Sequence, residues 1–205
     1  MPNRSAWVDA YDETVPVWDR FVRVFHWSLA ILVLIEFLTT DDGRTLHHLA
    51  GYAVLGLIGA RVVWGVIGSR HARFMSFVTG PRAVLDYLRA LRLGKAPRHL
   101  GHNPAGGMMI VALLGLLVVV AGSGWLSETD AFFGVAWVDH LHHISAHLLL
   151  VLIGLHVCGV VVSSWLHREN LVVAMLTGRK SAMSDAEART DSPDGAFIAR
   201  HTRHH

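Results

Sequence analysis

Two histidines, His142 and His156, stand 14 residues apart on one apolar stretch, and His47 and Arg61 stand 14 apart on another. Fourteen residues is roughly 21 Å of helical rise and two heptads, so both members of each pair fall on nearly one helix face. Ionisable side chains inside a membrane helix are costly and mark function by default. A helix that offers an imidazole near each membrane face can supply one axial ligand to each of two stacked haems. That is the layout of a transmembrane electron path.

The elements that must position these residues are membrane helices. The chain has 205 residues, of which 52% are apolar and 17% charged, and it contains runs that approach or exceed the ~20 residues needed to cross a bilayer. We expect an all-α integral membrane four-helix bundle in one domain over 1–180, with helices at about 20–40, 46–68, 105–126 and 140–166. Residues 181–205, rich in Asp, Ser and Ala, are expected to form a disordered cytoplasmic tail. The first 20 residues carry Asp9, Asp12, Glu13 and Asp19 and do not resemble a secretory leader, so the first apolar run reads as a retained helix. The single cysteine, Cys158, excludes an intrachain disulfide and a thiolate-ligated iron–sulfur cluster held by this chain alone. No Cys-x-x-Cys-His is present, so any haem is not attached in the usual c-type way. Of the 15 histidines, His201, His204 and His205 lie in the tail and receive no ligand role.

Charge sets the expected orientation. The 69–104 connection carries Arg70, Arg73, Arg82, Arg89, Arg92, Lys95 and Arg98. The 127–139 connection has no Lys or Arg but holds Glu128, Asp130 and Asp139, and the first connection has only Arg44. The positive-inside rule then places 69–104 and both termini in the cytoplasm. Within the basic connection, Pro81 to Leu93 reads either as an interfacial helix with Val84, Leu85, Leu88 and Leu91 as its stripe, or as a solvated basic loop. Pro104 is placed to open the third span.

With that topology the histidines sort into two levels. His47 and His142 lie near the outer face, and His26 and His156 lie near the inner one. Each level takes two imidazoles from two helices, the set required for bis-histidine haem ligation in a bundle core. Taken singly, each histidine also suits a hydrogen-bonding role at the interface. His143 rivals His142 as a ligand, because an irregular helix start would turn it inward. His140, His143 and His147 offer either an outer metal site or a polar interface lining. Arg61 falls at the inner level, where it either meets a haem propionate or snorkels to headgroups. Gly51 and Gly65 stand one turn from His47 and Arg61 and admit either a macrocycle or a neighbouring helix. Glu36, inside the first span, has three readings: a proton relay at a quinol site, a partner for an outer histidine, or a headgroup-level carboxylate.

The residues resemble those of a known family, the prokaryotic cytochrome b561 group, which includes the cytochrome b subunits of nickel–iron hydrogenases. The matching pieces are Val17-Trp18-Asp19-Arg20, Arg23-Val24-Phe25-His26-Trp27, Leu46-His47 with Gly51, Arg61 with Trp64-Gly65, Leu141-His142 and Gly154-Leu155-His156. Gly68-Ser69-Arg70-His71-Ala72-Arg73-Phe74 and His102-Asn103-Pro104-Ala105-Gly106 resemble the hydrogenase-type branch. The resemblance implies four helices, two non-covalent b haems with His26/His156 and His47/His142 as axial pairs, and electron exchange with quinone and a redox partner. One departure is His143, where relatives often carry an acidic residue. The expected function is one-electron transfer between the quinone pool and a periplasmic partner, either a c-type cytochrome or a hydrogenase-like dehydrogenase. Membrane lipid surrounds it, and no nucleic-acid partner is expected. Two rivals remain. One is a stand-alone quinone reductase oxidising superoxide at the outer face, which the acidic outer loops disfavour. The other is a redox-inert membrane anchor or metal transporter.

Overall fold

The computed structural model describes residues 14–39 and 44–182. Six α-helices appear there: α1 (Arg20–Leu38), α2 (Arg44–Ile67), α3 (Pro81–Arg92), α4 (Pro104–Ser127), α5 (Ala136–Leu166) and α6 (Leu171–Thr177). A single 3-10 turn, Phe74–Ser76, precedes α3. The strands β1 (Thr14–Pro16) and β2 (Arg179–Ser181) pair antiparallel, with Thr14 opposite Ser181. Helices α1, α2, α4 and α5 are each long and apolar enough to cross a membrane, so the expected four-helix bundle is present. The expected tail over 183–205 lies outside the described residues.

The helix starts follow local chemistry. Asp19 caps α1 by accepting from Val22 N at 2.8 Å, and Asn103 caps α4 by accepting from Gly106 N at 2.7 Å. These bonds satisfy amide donors that the first turn leaves unpaired. Pro81 and Pro104 each occupy the first turn of a helix, where the missing N–H is harmless. Helix α5 begins at Ala136, earlier than the sequence pattern indicated. Its 31 residues make it about 46 Å long, so it extends beyond a hydrocarbon layer of ~30 Å.

Packing is inside-out relative to a water-soluble bundle. Ile31, Leu34, Val62, Val66, Leu148, Val151 and Val161 are all exposed, as lipid-facing positions should be. The buried cluster is small: Val54, Ile58, Leu117 and Leu149, flanked by Leu29, Leu32, Val33, Leu113 and Ile153. It sits at mid-depth. Val54 lies halfway between His47 and Arg61 in sequence, and Leu149 halfway between His142 and His156. The close helix pairs are α1 with α2, α2 with α4, and α4 with α5. Among the described residues α5 does not close up in the same way against α1 or α2.

Of the two readings of 81–93, the structure has the amphipathic helix, α3, packed on α4, but its buried face differs from the stripe that reading named. Tyr87 is its buried residue, while Leu85 and Leu88 are exposed. The apolar positions are thus divided between protein and surroundings.

The end of the bundle that carries β1, β2 and the basic connection is closed by polar contacts. Arg98 Nη2 lies 3.2 Å and Lys180 Nζ 3.5 Å from the two oxygens of Glu169. Arg98 also donates to Ser181 O at 2.7 Å. Gly178 ends α6 with φ 81°, and a Cβ there would stand 2.6 Å from Trp18 O. This close approach in the left-handed region requires glycine. Asp19 accepts from Trp64 Nε1 at 3.0 Å and from Ser69 Oγ, linking the start of α1 to the end of α2. Burial pushes its carboxyl up, yet the donors from Ser69, Val22 and Trp64 outweigh it and hold the group below its ordinary value.

His102 is wedged between Trp18 and Phe77, at ring-centre distances of 4.4 and 4.8 Å. One part of the ring reaches the surface, but Nδ1 is shut off from solvent and has no hydrogen-bond partner. Desolvation first, then the positive charges of Lys180 and Arg61, pulls its pKa down to about 3. In the window from the ordinary value of about 6.5 down to about 3, the unfolded chain binds a proton that the folded chain refuses. Folding stability therefore falls as pH drops through that window. We expect the thermal midpoint in detergent to decline below about pH 6.5, and His102→Phe to make that decline shallower. Equal pH slopes in the two proteins would contradict this assignment.

Candidate functional site

The histidines that share a face in sequence meet across the bundle in two pairs. The ring centres of His47 and His142 are 6.1 Å apart with planes at 79°. Those of His26 and His156 are 6.4 Å apart with planes at 52°. Each pair joins α5 to a helix it does not pack against closely, α2 in one case and α1 in the other.

These distances can be compared with what a metal would impose. Take two trans imidazoles with metal–nitrogen bonds of about 2.0 Å and about 1.1 Å more from each nitrogen to its ring centre. The ring centres then stand about 6 Å apart. Both pairs meet that spacing, which is too wide for direct imidazole–imidazole hydrogen bonding.

The tautomers at the His47/His142 level follow from the partners. His142 Nδ1 lies 3.0 Å from Val120 O, and a carbonyl only accepts, so Nδ1 carries the proton. His47 Nδ1 lies 2.7 Å from Glu36 Oε2 and 3.2 Å from the Glu36 backbone O, and it is a donor for the same reason. In both rings Nε2 keeps its lone pair for a metal. Of the readings of Glu36, the contact shows a partner for an outer histidine. Gly51 opposes the same carboxyl group: a Cβ there would lie 3.4 Å from Glu36 Oε1. Gly124 serves His142 similarly, since a Cβ would lie 3.0 Å from Cε1 and 3.1 Å from Nδ1.

His143 is exposed, on a face turned away from the bundle interior, and its carbonyl accepts from His147 Nδ1 at 2.7 Å. His140 and His147 are exposed too. Among the described residues no group of three or more His, Cys, Asp or Glu side chains gathers for a metal.

At the His26/His156 level the surroundings differ. His26 Nδ1 is buried with no partner. Arg61 is 3% exposed, so it does not snorkel. Its Nη2 donates to Ala72 O at 3.0 Å, and its guanidinium lies 4.8 Å from the centre of the Phe74 ring. Gly65 makes that stacking possible, because any Cβ there would overlap Phe74. Arg61 Nη1 is buried without a partner. A buried guanidinium with an unused donor is a site for an anionic oxygen, and a haem carboxylate has the right charge. Arg23 donates through Nη2 to Leu176 O at the end of α6, and its Nε is likewise buried without a partner.

The ring spacing fits a bis-histidine haem at each level; the tautomers add to this at the His47/His142 level and the unused Arg61 donor at the other. Sequence reasoning did not single out Gly124 or Val120, because neither contact leaves a periodic signal. Both depend on how α4 lies along α5.

The comparisons with known proteins are consistent with one another. The family model for prokaryotic cytochrome b561 matches residues 17–178. A protein of Azotobacter vinelandii named as a probable Ni/Fe-hydrogenase B-type cytochrome subunit is 26% identical, over 83% of this chain and 90% of its own length. The protein of the same name from Azotobacter chroococcum mcd 1 is 25% identical over the same shares. That from Bradyrhizobium diazoefficiens is 23% identical over 82% of this chain and 86% of its own. No solved structure matches the chain significantly. The family match takes in all four spans and all four paired histidines, and the chain belongs to the prokaryotic cytochrome b561 family, membrane cytochromes b that bind haem and transport electrons.

Proposed function

We propose that the chain holds two non-covalent b haems, one between His47 and His142 and one between His26 and His156, and passes single electrons across a bacterial inner membrane. The observation that carries this reading is the pair of ring-centre distances, 6.1 and 6.4 Å. Bound haem supplies one-electron iron chemistry; the chain supplies ligation, spacing and surroundings. Val120 O and Glu36 orient the imidazoles at one level. Arg61 Nη1 binds a propionate at the other. The apolar cluster of Val54, Ile58, Leu117 and Leu149 keeps water out of the stretch between them.

The basic connection and both termini belong on the cytoplasmic side by the positive-inside rule. The His47/His142 level then faces the periplasm, under Glu128, Asp130 and Asp139. An acidic rim attracts a basic redox partner and repels superoxide, which favours protein-to-quinone transfer over the stand-alone superoxide reaction. A hydrogenase-like dehydrogenase is the partner class that the relatives' names suggest, with a c-type cytochrome as the other candidate. Quinone is the exchangeable substrate.

Two substitutions test the ligand assignment. His156→Ala should lower the haem content of folded protein from two per chain to one, with the His47/His142 haem retained in the redox difference spectrum. Loss of both from a protein that remains folded would contradict separate sites. His143→Ala should leave both haems bound; loss of one would move a ligand from His142 to His143.

A further inference from the structure

The two histidine pairs differ in what stands behind the ligating rings, and this difference has a redox consequence that rests on the two-haem reading. At one level His47 donates Nδ1–H to a side-chain carboxyl group, Glu36 Oε2, at 2.7 Å. Its partner His142 donates to a backbone carbonyl at 3.0 Å. At the other level His26 Nδ1 has no acceptor. The charged groups at that end, Arg61 and Asp19, are of opposite sign, and Asp19 is bonded to Val22 N, Trp64 and Ser69 rather than to a histidine.

An imidazole whose far N–H is held by a carboxyl oxygen is a stronger electron donor to iron. Stronger donation favours the oxidised metal. We propose that Glu36 is a positioning residue that makes the His47/His142 site the lower-potential of the two. An electron is then held less tightly at the Glu36 end than at the His26/His156 end.

Glu36 is partly buried within a span, its side chain 18% exposed, and its Oε1 has no partner. A carboxyl group at that depth costs free energy. Satisfying His47 Nδ1 does not by itself require it, because the Glu36 backbone carbonyl lies 3.2 Å from the same nitrogen. The side chain adds a carboxyl acceptor to a ring that a backbone carbonyl already orients.

The test is a redox titration of the purified full-length haem-loaded protein, followed by absorbance and by EPR of the oxidised form. Glu36→Gln replaces the carboxyl with a neutral amide acceptor; Glu36→Leu leaves only the backbone carbonyl. Wild type should show two midpoints, and the component surviving in His156→Ala should be the lower one. Its ferric EPR signal should be the more anisotropic, because its imidazole planes are nearer perpendicular, 79° against 52°. Both Glu36 variants should shift that lower midpoint to more positive potential, Glu36→Leu at least as far as Glu36→Gln, and leave the upper one in place. A merely structural contact would leave both midpoints unmoved, and that result overturns the proposal. So does a shift confined to the component that His156→Ala removes. A wild-type haem count other than two would be seen before any titration and would remove the two-haem reading, and this proposal with it.

Discussion

A neutral imidazole inside a membrane has one N–H and one lone pair to satisfy, with no water to do it, and the bundle is organised around that requirement. An unsatisfied polar group in an apolar medium costs roughly 2–7 kcal/mol, and four histidines at two depths multiply the cost. The chain meets half of the demand itself at one level: Val120 O and Glu36 take the N–H groups of His142 and His47. In the proposed reading the remaining lone pairs are left to haem iron, and α5, which packs closely on α4 but not on α1 or α2, leaves room for it between the rings.

The spacing of the two sites is inherited from the helix itself. On α5 the order His142, Leu149, His156 advances in steps of seven residues, and on α2 the order His47, Val54, Arg61 does the same. Each step is about 10 Å of rise on nearly one face. The apolar cluster therefore falls midway between two polar levels without any loop having to place it. Lipid supplies little hydrophobic drive between helices, so the end caps carry more of the folding. Asp19 joins α1 to α2, and the contacts of Glu169 with Arg98 and Lys180 join the basic connection to the chain after α5.

What could be read in the sequence was whatever repeats with the helix. The four spans, the two levels and the place of Arg61 at the inner one follow from periodicity, composition and the cost of charge in a membrane, while its burial, against snorkelling to the headgroups, had to come from the structure. Interfaces between helices were harder to read. Glu36 could be given three roles because its contact with His47 depends on where α2 begins after α1, and no sequence spacing states that. Tyr87, rather than the leucine stripe, faces protein in α3 because amphipathicity alone does not say which apolar side meets lipid. The β1–β2 pair is three residues long on each side, too short for alternation to register. His102 lies in a turn, and only its neighbours Trp18 and Phe77, distant in sequence, make it a buried ring.

The central claim is that these histidines hold two haems, and the most direct measurement is haem per polypeptide on purified protein made with ample haem supply. A pyridine haemochrome assay on folded, full-length chain should give two b haems per chain. A value of one would leave one of the two imidazole pairs without a metal, and a value of zero would leave all four as membrane hydrogen bonders; either result contradicts the account.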